Sequence, residues 1–150
     1  MLQPIVVTAN EADEVAATRR LQLRLPSDVA CIEDAVALVE RHSFDGDAPT
    51  RTRFRLQVAL AEALANAILR GNRADPGKAV TVECVTAAGA VRVTVTDEGD
   101  GFDPSQVPDP CAPERVLRAH GRGLFIIRHM VDAVDFNDRG NAICMTWRRQ

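Results

Sequence analysis

The strongest constraint in this chain is a ridge of Leu56, Leu60, Leu64 and Ile68, one apolar residue every four positions. That spacing predicts one long helix, about Thr50 to Leu69, with a continuous greasy side. Ala59, Ala61, Ala63, Ala65 and Ala67 keep it slim, so it suits close packing on a sheet or a ligand. Gly71-Asn72 reads as its stop, in keeping with a glycine C-cap. Strands lie on both sides of it in sequence. Arg20 to Leu25 alternates, with Leu21, Leu23 and Leu25 on one face, as in a half-buried strand. Val80 to Thr86 and Val91 to Thr96 are β-branched runs around Ala88-Gly89, which reads as a hairpin.

The remaining elements follow the same logic. Pro26 ends the first alternating run, and Ser27 or Asp28 caps what comes next. Val29, Ile32, Val36 and Val39 have helical spacing, fading near His42, and Phe44 to Pro49 is a turn-rich loop. After Asp97 the periodicity collapses as far as Arg122, with at most a helical turn at Val116 to Ala119. So long an irregular stretch in a compact domain suggests a functional lid or a disordered segment. Gly123 opens a further helix, with Leu124, Ile127, Val131 and Val134 as its apolar face. Asp138 to Asn141 is a turn, and Ile143, Met145 and Trp147 alternate in a last strand. At the N-terminus Ile5-Val6-Val7 suits a short strand, and Asn10 to Thr18 reads as a loop or weak helix. This order predicts an α/β (α+β) two-layer sandwich: a mixed, mostly antiparallel sheet covered on one face by helices. Residues 20–150 form the domain, and residues 1–19 an extension serving as edge strand, arm or tail.

Composition narrows the function classes. A chain of 150 residues, 46% hydrophobic and 26% charged, is expected to fold as one globular domain. A net charge of -3 argues against direct nucleic-acid binding. No stretch approaches the roughly 20 apolar residues of a membrane helix, and the first residues lack a signal-peptide pattern. Cys31, Cys84, Cys111 and Cys144 are too scattered for a zinc site or a redox dithiol. Free thiols in a reducing cytoplasm are the expectation.

Three polar clusters carry chemistry. Glu62 and Asn66 are four apart on the long helix and share a face. The asparagine oxygen is a hard, neutral ligand suited to magnesium held jointly with phosphates, and the carboxylate can accept a proton from water or a hydroxyl. A solvated helix face accounts better for the pair taken alone. Asp97-Glu98-Gly99-Asp100-Gly101 leaves the end of a strand whose parity Asp97 continues. There a carboxylate can accept from an exocyclic amine, and the glycines allow close approach of a flat ligand. The loop lacks the calcium-loop pattern. Gly121-Arg122-Gly123-Leu124 heads the next amphipathic helix, a place suited to anions, with Arg118 and His120 nearby. It is neither a Rossmann fingerprint nor a Walker loop.

In this order the clusters resemble the Bergerat ATP-binding fold of DNA gyrase, histidine kinases and mismatch-repair ATPases. Glu62-Ala63-Leu64-Ala65-Asn66-Ala67-Ile68, Arg70-Gly71-Asn72 and Gly121-Arg122-Gly123-Leu124-Phe125-Ile126-Ile127-Arg128 look like the anti-sigma-factor serine kinases of bacteria, as does Leu25-Pro26-Ser27. Arg70 stands where many of them have histidine or tyrosine. The resemblance spans about Arg20 to Arg148. It implies Glu62 as general base, Asn66 as the magnesium ligand against the phosphates, and Asp97 on the adenine amine. It implies Gly99 and Gly101 around the base, an ATP lid from about Asp103 to Arg122, and Gly121, Arg122, Gly123 and Leu124 at the phosphates. ATP and Mg2+ are the implied cofactors. The implied partners are a sigma factor, a serine-bearing anti-anti-sigma protein of the STAS fold, and a second copy of the chain.

Two other readings fit the same clusters. One is a nucleotide-gated module that sequesters a protein by contact alone; Glu62 favours the enzyme over it. The other is the catalytic domain of a histidine kinase. That reading needs a helical segment with a phospho-accepting histidine, whereas His42, His120 and His129 read as ordinary surface or core residues.

Overall fold

The computed structural model describes residues 5–13, 18–44, 48–87, 89–101 and 119–148. Their strands are β1 (Val6–Asp13), β2 (Thr18–Pro26), β3 (Ala79–Ala87), β4 (Ala90–Thr96), β5 (Ala133–Phe136) and β6 (Ala142–Arg148). The helices are α1 (Ile32–Ser43), α2 (Thr50–Asn66) and α3 (Ala119–Met130). The six strands form one sheet in the order β1-β2-β3-β4-β6-β5, and every pairing among them is antiparallel.

Register explains the core. Leu21, Leu23 and Leu25 lie opposite Cys84, Val82 and Val80. Val82 and Cys84 lie opposite Val95 and Val93, and Val93 and Val91 opposite Met145 and Trp147. One band of buried side chains therefore crosses four strands on a single face. The α2 ridge lies on it: Leu56, Leu60, Leu64 and Ile68 are all fully buried. Each such side chain stabilises the fold by about 1.5–3 kcal/mol relative to exposure. Ala35 and Val39 of α1 and Ile127 of α3 complete the same core. The opposite face carries Arg20, Gln22, Arg24, Glu83 and Arg92, all exposed.

Four expectations need correction. The extended chain continues from Val6 to Asp13 as edge strand β1, where a loop or weak helix was expected from Asn10. Pairing with β2 overrides its weak local preference. The last helix stops at Met130, so neither Val131 nor Val134 is on its apolar face. Val134 sits in β5 opposite Met145. The run from Val131 to Phe136 fits periods of 3.6 and 2 alike, and pairing with β6 decides between them. Val29 is not on a buried helix face either; it opens a 3₁₀ turn, Val29–Cys31, and is 48% exposed. Finally, Gly123 does not open α3, which begins at Ala119.

The α3–β5 junction is pinned. Trp147 Nε1 donates to Met130 O at 2.7 Å. The Asp132 carboxylate accepts from Arg148 N at 2.7 Å and from Arg55 Nη2 at 3.3 Å. These donors hold the Asp132 carboxyl below the usual aspartate range, led by the Arg148 amide. No helix among the described residues is long and apolar enough to cross a membrane. Cys31, Cys84 and Cys144 are free, and Cys111 lies outside the described residues. Burial raises the Cys31 pKa and so favours the neutral thiol.

Candidate functional site

The site is organised by the C-terminal end of α2. Glu62 and Asn66 share the half-exposed flank of that helix, beside the buried ridge. Against this flank lies Gly123 of α3, itself buried. A methyl group built on Gly123 would stand 3.0 Å from Asn66 Nδ2 and 3.4 Å from both Asn66 Oδ1 and Glu62 Oε2. The first and third sequence clusters therefore meet in space. Neither the Glu62 carboxylate nor the Asn66 amide makes a hydrogen bond among the described residues. Among the described residues both are without a partner.

Beyond Asn66 the helix widens into one π-helical turn, Ala67–Gly71. Asn72 N donates to Ala67 O, and Ala74 N to Ile68 O, both at 2.8 Å. Such turns recur where a helix is locally distorted for function. The left-handed residues that end it are Arg73 (φ 52°) and Ala74 (φ 54°), not Gly71 as a glycine C-cap would require. Gly71 is glycine for another reason. A methyl there would overlap the Asp97 carboxylate, with Asp97 Oδ1 only 2.7 Å away.

Asp97 is thus pressed against the end of the very helix that carries Glu62 and Asn66. Its Oδ1 accepts from Gly99 N at 2.8 Å. Its backbone is clamped from the other side: Asp97 N donates to Asn141 O, and Asn141 Nδ2 donates to Asp97 O, both at 2.9 Å. Burial raises the Asp97 pKa, opposed by the Gly99 amide and the charges of Lys78 and Arg139. A methyl on Gly99 would collide with Gly71 O. Gly101 adopts φ +79°, and a methyl there would collide with Arg139 O. Gly101 accordingly packs on the turn between β5 and β6.

Not every expected residue joins this arrangement in the expected way. Gly121 and Gly123 lie within α3 rather than ahead of it. A glycine costs a helix about 1 kcal/mol, which tertiary packing can override. The Leu124 side chain is buried, and its N–H lies inside α3, where the helix ladder uses it. The Arg122 side chain and most of the lid expected from Asp103 to Arg122 lie outside the described residues. Two residues were given no role from sequence: Asn72, noted only as part of Arg70-Gly71-Asn72, and Asn141, noted only as the end of a turn. Both stand in turns, where asparagine is common for reasons unrelated to ligands. Nothing local distinguishes them.

The fit to magnesium and a nucleotide can be judged from these donors. No group of three His, Cys, Asp or Glu side chains suited to a metal occurs among the described residues. One asparagine oxygen beside one carboxylate suits a cation that keeps its waters and shares phosphate oxygens. At the other end, Asp97 Oδ2 is left as an acceptor, walled by glycine backbone. The donor set fits an adenine nucleotide with magnesium.

Comparison with known proteins identifies the family. Residues 9–147 match the model of the histidine kinase-like ATPase domain. The chain belongs to that family. Among curated relatives, the anti-sigma F factor of Oceanobacillus iheyensis is 28% identical over 96 residues, 61% of this chain and 66% of the relative. The serine-protein kinase RsbW of Listeria monocytogenes is 29% identical over 98 residues, 61% and 62% of the two chains. The anti-sigma F factor of Geobacillus stearothermophilus is 32% identical over 92 residues, 59% and 62%. The chain thus spans just under two thirds of the length of these relatives.

Proposed function

We propose that the chain is an ATP-dependent serine kinase of the anti-sigma type. It binds ATP with magnesium, phosphorylates a serine on an anti-anti-sigma protein of the STAS fold, and restrains a sigma factor. One observation carries this reading. A single helical run offers Glu62 and Asn66 to α3 at Gly123 and, five residues on, abuts Asp97 through Gly71. At no more than 1.5 Å per residue, Asn66 and Gly71 are within about 7.5 Å of each other along the axis. The base-binding and phosphate-binding ends thus share one rigid support. The relatives' names speak of anti-sigma factors and a serine-protein kinase. A homodimer and a cytoplasmic location belong to the same reading, on family likeness, and the free thiols are in keeping with the latter.

Each residue has a stated part. Asp97 accepts from the exocyclic amine of adenine through Oδ2, while Gly99 N holds Oδ1. Gly71 and Gly99 let the base approach the backbone. Asn66 offers its amide oxygen to magnesium, Gly121 in the first turn of α3 offers its N–H to phosphate oxygens, and Gly123 leaves room for them beside Asn66. Bound magnesium–ATP supplies the phosphoryl group and leaves as ADP. Glu62 takes the proton from the attacking serine hydroxyl. The rest of the catalysis is positioning and charge stabilisation.

Calorimetric titration of ATP and ADP, with and without magnesium, tests the binding half. No heat of binding at millimolar nucleotide overturns it. Glu62→Gln tests the transfer half: nucleotide affinity should hold while phosphorylation of the partner falls at least about 100-fold. Unchanged phosphorylation removes Glu62 from the reaction. A partner that gains no phosphate, yet binds more tightly with nucleotide, makes the chain a nucleotide-gated binding module.

A further inference from the structure

We propose that Asn72 is the positioning residue of the base-binding end: its buried amide holds the Asp97–Gly99 segment in register with the helix that carries Glu62 and Asn66. The inference rests on the reading of Asp97 given above. Asn72 is only 1% exposed, so it cannot itself touch a ligand. Its side chain nonetheless makes three hydrogen bonds to three different parts of the fold. Nδ2 donates to Ser27 Oγ at 2.9 Å, beyond the end of β2. Nδ2 also donates to Ala79 O at 3.0 Å, at the start of β3. Oδ1 accepts from Glu98 N at 2.8 Å, in the peptide that follows Asp97.

The two halves of the amide therefore do different jobs. The donor half anchors Asn72 to the sheet, reinforced by Ser27 Oγ donating to Lys78 O at 2.6 Å. The acceptor half reaches across to the loop that bears Asp97. The contacts beside it are steric: Gly71 leaves space for the Asp97 carboxylate, and Gly71 O lies against Gly99. Steric fit limits how near the two segments come, but it does not stop them parting. The other ties of Glu98 are a 3.2 Å bond from Ala79 N to its carboxylate and a 3.9 Å ion pair with Arg24. Both act through a long, exposed side chain, and such surface pairs contribute little. Asn72 Oδ1 is the short, buried link from the loop's backbone to the end of α2. A side chain of another length at 72, or one without an acceptor, leaves the Glu98 amide without this partner.

The test separates the two halves. Asn72→Ala removes both, Ser27→Ala weakens only the anchor, and Asn72→Asp keeps an acceptor for Glu98 N while losing the donors. Calorimetry with magnesium–ATP is read on folded protein, well below each variant's melting temperature. Asn72→Ala should bind about tenfold more weakly, the scale of one lost buried hydrogen bond. Ser27→Ala should melt lower yet bind within about twofold of the parent. Asn72→Asp should melt lower and recover most of the affinity. Asn72→Ser carries the same comparison if the alanine variant does not fold. Unchanged affinity in Asn72→Ala, or equal losses in Ser27→Ala and Asn72→Ala, overturns the proposal. A parent chain that binds no nucleotide overturns the functional reading instead. Hydrogen exchange at the Glu98 amide then decides the positioning claim. Exchange should be fast in Asn72→Ala and slow in Asn72→Asp, and equal rates overturn it.

Discussion

The two ends of the candidate site are built differently. At the base-binding end, backbone meets backbone. Gly99 lies against Gly71 O, Gly101 against Arg139 O, and the Asp97 peptide is bonded on both sides by Asn141. At the phosphate-binding end, side chains meet a glycine. Glu62 and Asn66 reach Gly123 only with their terminal atoms and make no hydrogen bond among the described residues. The first end is pre-organised, which suits the proposed reading of a flat, invariant base without reordering. The second presents two side chains without hydrogen bonds among the described residues, which suits the proposed hydrated cation and phosphates. Pre-organisation lowers the cost of binding, whereas free side chains suit groups whose charge changes during a reaction.

Gly99→Ala should produce the largest effect. The added methyl has a backbone carbonyl, not a flexible side chain, in its way. Backbone must shift, and overpacking of this kind costs about 1–3 kcal/mol. Thermal melting should drop, and nucleotide binding should be lost at accessible concentrations. A variant with parental melting and affinity would mean that the base-binding end has slack after all.

Asp97→Asn comes next, with a loss confined to binding. Gly99 N needs an oxygen as its acceptor, so the new NH2 group lands where Oδ2 stood. A donor then faces the donor amine of the base. An unpaired buried polar group costs about 1–3 kcal/mol, or roughly 10- to 100-fold in affinity. Melting should change little. Calorimetry that finds full affinity in this variant removes Asp97 from base recognition. The same carboxylate makes binding pH-dependent. Its folded-state pKa is raised by burial, so it protonates at a higher pH than an ordinary aspartate on acidification. Folding therefore pays for its charge above that pKa and is relieved of the cost below it. Nucleotide affinity, in contrast, should fall as pH drops toward that raised value, beginning above the ordinary aspartate range. An affinity flat down to the ordinary aspartate range would mean that the charge of Asp97 does not matter.

The difference between the ends also explains what could be read from sequence. The chemistry proposed for the phosphate end resides in side-chain types at helical spacing, and the shared face of Glu62 and Asn66 is visible as such. Asp97 is visible because it ends an alternating strand. The reason for Gly71 is not visible, because a glycine after a helix suggests a left-handed cap. Here the glycine is required by a carboxylate 26 positions away in sequence. Asn72 and Asn141 share that obscurity. Their partners are backbone groups brought near only by the fold, and backbone groups leave no trace in sequence. The same limit applies to β5. Its Val131 to Phe136 pattern admits helix or strand, and only the neighbouring β6 decides.

Gly123→Ala should have the smallest effect, and it probes the comparison most directly. In a helix alanine is favoured over glycine by about 1 kcal/mol, so melting should hold or rise slightly. The new methyl would stand 3.0 Å from Asn66 Nδ2, the end of a side chain that can rotate away. The cost then falls on where the Asn66 amide points, not on the fold. Asn66 is assigned to magnesium, and so the gain in ATP affinity on adding magnesium should shrink by a few fold, on the order of 1 kcal/mol. Magnesium-free ADP binding should be unaltered, because Asp97 and Gly99 are untouched. If both affinities fall together, the two ends are one rigid unit and the free side chains of α2 are no separate device. If only the magnesium-dependent part falls, the base is held by backbone and the phosphates by side chains that adjust, as the unbonded Glu62 and Asn66 suggest.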